Sequence, residues 1–354
     1  MVGLVKKKTI HLFSPLFIKS VLTVLCLLFC GAASAVDNTP KKLLVIDSQI
    51  GDPYRNVRES MLTELAARGF KEGDGMSYEY YSLSHYRGAA KNLWNHRIRK
   101  VDYDVIFLNG TLAAKSFKDI AWNSKSYDFV FASVTDPVGL GIVKDYNITP
   151  EANFTGVAFH VPIEDRMRFI KRLMPQAKNI GLIYADMPQS HSYRKWIEEV
   201  LNQPEWQGVT VHFRQVDFIP SEGGHRRMAQ MAEKHVQELD SQVDLFLSPN
   251  DQMGAQRPFA NMVYRNSTKP LIGLGRHDVT DGWGATASIY PDEKIVGKQA
   301  AEMVHKIFNG EALTTILPER PREYGIVIDK AKAKYFGISI DADLGAAAEL
   351  IPVE

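Results

Sequence analysis

A repeating alternation of short apolar runs and amphipathic helical stretches constrains this chain most. Residues 41–46 (KKLLVI), 104–108 (DVIFL) and 129–132 are nearly continuous in apolar side chains, and each run closes on a polar loop. Between them, residues 54–68 place Val57, Met61, Leu62 and Leu65 at helical spacing and stop at Gly69. Residues 76–81 read as a strand and 89–99 as a helix. A strand that is apolar on both sides has to be covered on both faces, which is the condition of a parallel sheet between helices.

The pattern then starts again. Helical spacing over 162–174 leads to a strand at 179–184 (NIGLIY), a helix over 191–201, a strand over 209–213 and a helix over 224–239. A strand at 243–247 (VDLFL), a helix over 254–265, a strand at 270–273 and a long helix over 292–308 complete the series. Two such series predict an α/β protein of two Rossmann-like lobes, each built on a parallel sheet and joined by a hinge. Crossings are expected near 154–161 and 285–290. The first lobe is then 36–156 plus 286–312, and the second is 157–285 plus 313–354.

The first 35 residues read as an export signal. Lys6, Lys7 and Lys8 precede an apolar run over 21–29, and Ala33-Ser34-Ala35 supplies a small-residue cleavage site. The apolar run is shorter than the roughly 20 residues of a membrane span. Bulky Phe29 makes Cys30 a poor lipid-attachment site. Cleavage after Ala35 places the protein in the periplasm and removes both cysteines, Cys26 and Cys30, so the mature chain cannot mispair there. With 42 Lys and Arg against 41 Asp and Glu, the chain lacks the basic excess of a nucleic-acid binder.

The absent motifs narrow the chemistry further. There is no HExxH, no GxSxG and no GxxxxGK[ST], and Gly139-Leu140-Gly141 lacks the third glycine of a dinucleotide fingerprint. His225 and His235 stand ten apart in a charged helix and read as solvated. No metal and no cofactor is expected.

What remains is a set of polar loops where strands end, the place where open parallel sheets bind ligands. They are Asp47-Ser48-Gln49, Asn109-Gly110-Thr111 and Thr135-Asp136-Pro137-Val138-Gly139 in the first series. The second series contributes Tyr184, Asn250-Asp251 and Gly275-Arg276-His277. Thr111 can open a helix and offer N–H groups and a hydroxyl to a carboxylate. Asp136 or Asp251 could hold an ammonium, and Arg276 a carboxylate. A single Asp or Asn at a strand end is commonly a helix cap, so the inference rests on the grouping.

The stretches 131–143 (FASVTDPVGLGIV), 153–157 (NFTGV) and 169–184 (FIKRLMPQAKNIGLIY) resemble the ABC-transporter substrate-binding proteins of the tryptophan/tyrosine-binding type, which have the type I periplasmic binding protein fold. The likeness continues through 243–251 and 297–310 (GKQAAEMVHKIFNG) and covers about 41–340. It implies two lobes closing on a small ligand, often an aromatic or aliphatic amino acid, with Ser48, Thr111, Asp136, Tyr184 and Asp251 lining the cleft. His191-Ser192 stands where the family commonly has an Asn-Ser pair, and Arg276-His277 departs from its glycine-rich loop; both departures signal a different anion.

The expected function is capture of a small polar ligand, an amino acid among the candidates, for an ABC permease. The expected site comprises Ser48, Asn109, Thr111, Asp136, Pro137, Tyr184, His191, Ser192, Asn250, Asp251 and Arg276, in a monomer without catalytic activity. Two alternatives stand beside it. One is a sensor of the same fold that presents its closed form to a membrane receptor or kinase. The other is a secreted enzyme using Asp136, Asp251 or His277 in acid–base work.

Overall fold

The structure is a computed structural model that describes residues 39–221 and 223–352. The expected signal peptide, 1–35, lies outside the described residues. The first sheet holds β1 (Lys41–Asp47), β2 (Lys71–Glu72), β3 (Gly75–Ser82), β4 (Val105–Asn109), β5 (Phe129–Val134) and β6 (Phe154–Ala158). The second holds β7 (Asn179–Ala185), β8 (Thr210–Val216), β9 (Leu245–Leu247), β10 (Leu271–Gly273), β11 (Ala287–Pro291), β12 (Tyr324–Asp329) and β13 (Glu349–Ile351). The helices of the first lobe are α1 (Tyr54–Ala67), α2 (Arg87–His96) and α3 (Thr111–Ala121). Those that follow are α4 (Ile163–Leu173), α5 (Pro188–Leu201), α6 (Gly224–Leu239), α7 (Arg257–Asn266), α8 (His277–Thr280), α9 (Glu293–Phe308), α10 (Lys330–Tyr335) and α11 (Ala342–Ala347).

The apolar runs behave as their composition requires. In β1, Leu43 and Val45 enter the core on one face of the sheet, and Leu44 and Ile46 enter a separate core on the other. All four are fully buried. At about 1.5–3 kcal/mol per buried side chain, a strand like this is held by both layers at once. The second sheet is likewise covered on two faces, around Leu182, Tyr184 and Leu245 on one side and Ile183, Phe246 and Phe259 on the other.

The first sheet runs β2-β3-β1-β4-β5-β6, entirely parallel. Its order reverses at β1, which opens a crevice between the ends of β1 and β4. The second sheet runs β13-β12-β11-β10-β9-β7-β8 and reverses between β7 and β9. Here β12 is antiparallel to β11, which departs from the all-parallel expectation.

Among the described residues, the chain crosses between the sheets three times. The first crossing follows β6, so residues 154–158 belong to the first sheet. The second follows β11, which lies in the second sheet, whereas the sequence reading placed 286–312 in the first lobe. After it, α9 packs on α1, and Gly297 brings the two backbones together: a Cβ there would meet the Val57 carbonyl at 2.5 Å. Residues 313–320 stay with the first lobe, because the Thr155 hydroxyl donates to the Ile316 carbonyl and Val157 bridges to Glu319. The third crossing then leads into β12, so the return to the second lobe comes later than 313.

Candidate ligand-binding site

The ends of β1, β4 and β5 build the first wall. Ser48 Oγ accepts from the Ala113 amide at 3.0 Å, so it caps α3 from a neighbouring loop. Gly110 makes this approach possible, with φ of 108° and no room for a Cβ, which would meet Ser48 Oγ at 2.4 Å. The first amides of α3 have no intrahelical acceptor and carry the positive end of the helix dipole. Thr111 Oγ1 accepts from the Thr135 amide at 3.2 Å, which leaves its proton available to another acceptor.

Ser133 sits beside Thr135. The register of β5 against β6 shifts between Phe131 and Val134, and Ser133 takes φ of 55°. A non-glycine residue there is unusual, and such strain and bulging collect at functional sites. Ser133 lines the cleft, is 6% exposed, and its Oγ has no hydrogen-bond partner.

The second lobe supplies the opposite wall. Asn250 reaches across, accepting from the Thr135 hydroxyl at 3.5 Å, and Gln256 donates to the Asp52 carbonyl at 3.1 Å. The buried Asp278 carboxylate accepts from the Leu274 and Gly275 amides through one oxygen, at 2.7 and 3.1 Å. Burial raises its carboxyl above the ordinary range, against the neighbouring His277 and Arg166. Arg166 is 2% exposed and ties the ends of β10 and β11 by donating to the Gly273 and Ile289 carbonyls. Glu293, the first residue of α9, closes this end: it accepts from Asn56 and stands 3.8 Å from His277 Nε2. Burial pushes its carboxyl up to about 7. Tyr54, Phe159 and Tyr290 add aromatic surface. The cavity between these residues measures about 60 Å³.

Of the residues expected from sequence, the structure brings Thr111, Asn250 and Asp251 to this pocket. Asp251, expected to take an ammonium, has its carboxylate fully engaged within its own lobe. Oδ2 accepts from the Ala185 amide and the Ser190 hydroxyl, and Oδ1 from the Met253 and Gly254 amides, all at 2.8–2.9 Å. It therefore holds the β7 and β9 ends together. Asn109 is fully buried behind the pocket and donates to Asp47 and to the Tyr54 carbonyl, so it positions Tyr54.

The remaining expected residues lie elsewhere. Tyr184 is in the core, its hydroxyl bonded to Gln215 and Arg194. Arg276, expected to hold a carboxylate, pairs with Glu349 at the surface. Asp136, in the turn with Pro137, accepts from the Gly139 amide at 2.7 Å. With His191 and Ser192 it lines a separate open groove, and His191 is paired to Asp186.

Sequence reasoning missed Ser133, Gln189, Asp278 and Glu293. Ser133 is hidden inside an apolar strand and Glu293 resembles any acidic first-turn residue. The Asp one residue after His277 was the one readable signal. Among the described residues, no group of three His, Cys, Asp or Glu could hold a metal ion.

The family model for ABC transporter substrate binding protein matches residues 45–351. The chain belongs to this family. The match runs from β1 through β13 and so includes both lobes and all three crossings. A relative of this substrate-binding protein, the tyrosine-binding protein of Clostridioides difficile strain R20291, is 21% identical over 84% of this chain and 81% of its own length. Among solved structures, a conserved domain protein from Vibrio cholerae aligns at TM-score 0.75 with 21% identity, covering 88% of this chain and 99% of that one. An ABC domain in complex with L-Trp from Streptococcus pneumonia aligns at 0.74 with 22% identity, covering 88% and 100%. These likenesses place the substrate-binding protein in the periplasmic binding protein fold. Proteins of this family bind a small molecule outside the cytoplasm and work with an ABC transporter.

Proposed function

We propose that this protein captures an α-amino acid in the cleft between its lobes, in the periplasm, and delivers it to an ABC permease without chemical change. The observation that carries the reading is the pairing of two unlike walls. On the first lobe stand the N-terminal end of α3, the Thr111 hydroxyl and the unpartnered Ser133 hydroxyl, all suited to a carboxylate. Facing them is Asp278, which lines the pocket and has one carboxylate oxygen taken by backbone amides, suited to an ammonium. A zwitterion satisfies both walls only when they are brought together, so the ligand stabilises the closed arrangement. The relatives named for tyrosine and solved with L-Trp support an amino acid as the ligand class.

Titration calorimetry of the full chain against the common amino acids tests this. One-site binding of at least one of them, weakened by blocking its α-amino or α-carboxyl group, is expected. Binding that survives both blocked forms contradicts the reading.

A further inference from the structure

Among the described residues the pocket is lined by three carboxylates, Asp251, Asp278 and Glu293, and by neither Lys nor Arg. Asp251 is fully hydrogen-bonded by four donors. Asp278 is offset by two amides and by Arg166 nearby. Glu293 has one neutral donor, Asn56, and His277 is beyond hydrogen-bond distance at 3.8 Å. Its side chain is only 14% exposed. A buried carboxylate served only by Asn56 and the more distant His277 imidazole gains from a further cation. Glu293 also lines an outer groove whose other charged residues are Glu59, Glu64, Asp292, Arg276, Lys294 and Lys298, so a long ligand side chain can extend toward it past both signs of charge.

The independent sign of a ligand at this site is Ser133, which lines the same pocket from β5 of the first lobe and is buried and unpartnered. With the α-carboxylate at Ser133 and Thr111 and the α-ammonium at Asp278, Glu293 is left for a second positive group. Resting on the amino-acid reading above, we propose that Glu293 is the specificity-determining residue for a cationic side chain and that the ligand is a basic amino acid. A neutral aromatic or aliphatic ligand leaves this carboxylate without a counter-charge, whereas a ligand of net positive charge neutralises it.

The test is calorimetry of the full chain at pH 8 with L-lysine, L-ornithine, L-arginine, L-leucine and L-tyrosine, repeated on Glu293→Gln. Basic amino acids should bind more tightly than the neutral pair. Glu293→Gln should weaken them by roughly 10- to 150-fold, the equivalent of one charge-assisted bond, and a far smaller change is expected for the neutral pair. Tighter binding of tyrosine or leucine, or an unchanged affinity for lysine in the variant, overturns the assignment of Glu293 while leaving the amino-acid cleft standing. Failure of every amino acid to bind overturns both. Should the variant not fold, the wild type supplies a second readout. Asp52, Asp278 and His277 also face Glu293, and burial pushes the Glu293 carboxyl up to about 7, so acidification from pH 8 to pH 5 removes its negative charge. Lysine affinity should therefore fall across that range relative to leucine, and a flat ratio overturns the proposal.

Discussion

At the scale of single residues, contact and support have to be told apart. Thr111→Ala removes a hydroxyl that faces the pocket and should weaken ligand binding by roughly 10- to 150-fold in calorimetry, with a small change in melting temperature. Asp251→Asn should behave in the opposite way. It disrupts a carboxylate bracket of four hydrogen bonds, so the melting point should drop while the α-carboxylate contacts persist. Equal losses of affinity in the two variants would show that this division is wrong. Glu293 makes a pH prediction. Its carboxyl is raised from 4.5 to about 7 by burial, so the native state holds the proton more tightly than the unfolded chain. The stability it contributes is complete below about 4.5 and is lost as pH rises through 7. Glu293→Gln should flatten that part of the ligand-free stability profile, as read by thermal melts between pH 4 and pH 8. An unaltered slope would count against a buried, raised carboxyl. Sequence could point to Thr111 and Asn250 because both follow a strand end, but it could not see Ser133, whose role depends on a bulge. Nor could it see that Arg276 has Glu349 as a partner, since that pairing joins residues 73 positions apart.

At the scale of elements, periodicity was readable wherever a strand was richly apolar. β1, β4, β7 and β9 announce themselves because both of their faces are buried. β6 (FTGVA) and β11 (ASIYP) do not, since small and polar side chains serve strands that neighbouring layers approach closely. The crossing expected near 154–161 falls directly after β6, whereas the one expected near 285–290 comes after β11. The long helix α9 was legible, and its start is fixed by Asp292, whose carboxylate accepts from the Lys294 and Ile295 amides. Asp292→Ala should cost about 1 kcal/mol of stability. Gly297 has a stricter demand, because a side chain there meets the α1 backbone and Ser60. Gly297→Val should cost at least about 1–3 kcal/mol, with a melting point well below that of Asp292→Ala. A valine tolerated without loss would mean that α1 and α9 do not pack so closely.

At the scale of the whole molecule, three crossings among the described residues connect two sheets whose cores are separate, and Thr135–Asn250 and Asp52–Gln256 hydrogen bonds join the cleft walls. That arrangement suits rigid lobes that turn about the crossings. A bound amino acid should compact the protein in small-angle scattering and raise its melting temperature with ligand concentration. Unchanged scattering at saturation would contradict closure. The central claim is that one small molecule is held by both lobes at once. A crystal structure of the protein with its bound amino acid tests this most directly. The account predicts a single ligand whose carboxylate meets Thr111 and Ser133 and whose ammonium meets Asp278. A ligand seated against one lobe alone, or in the groove of Asp136 and His191, would contradict it.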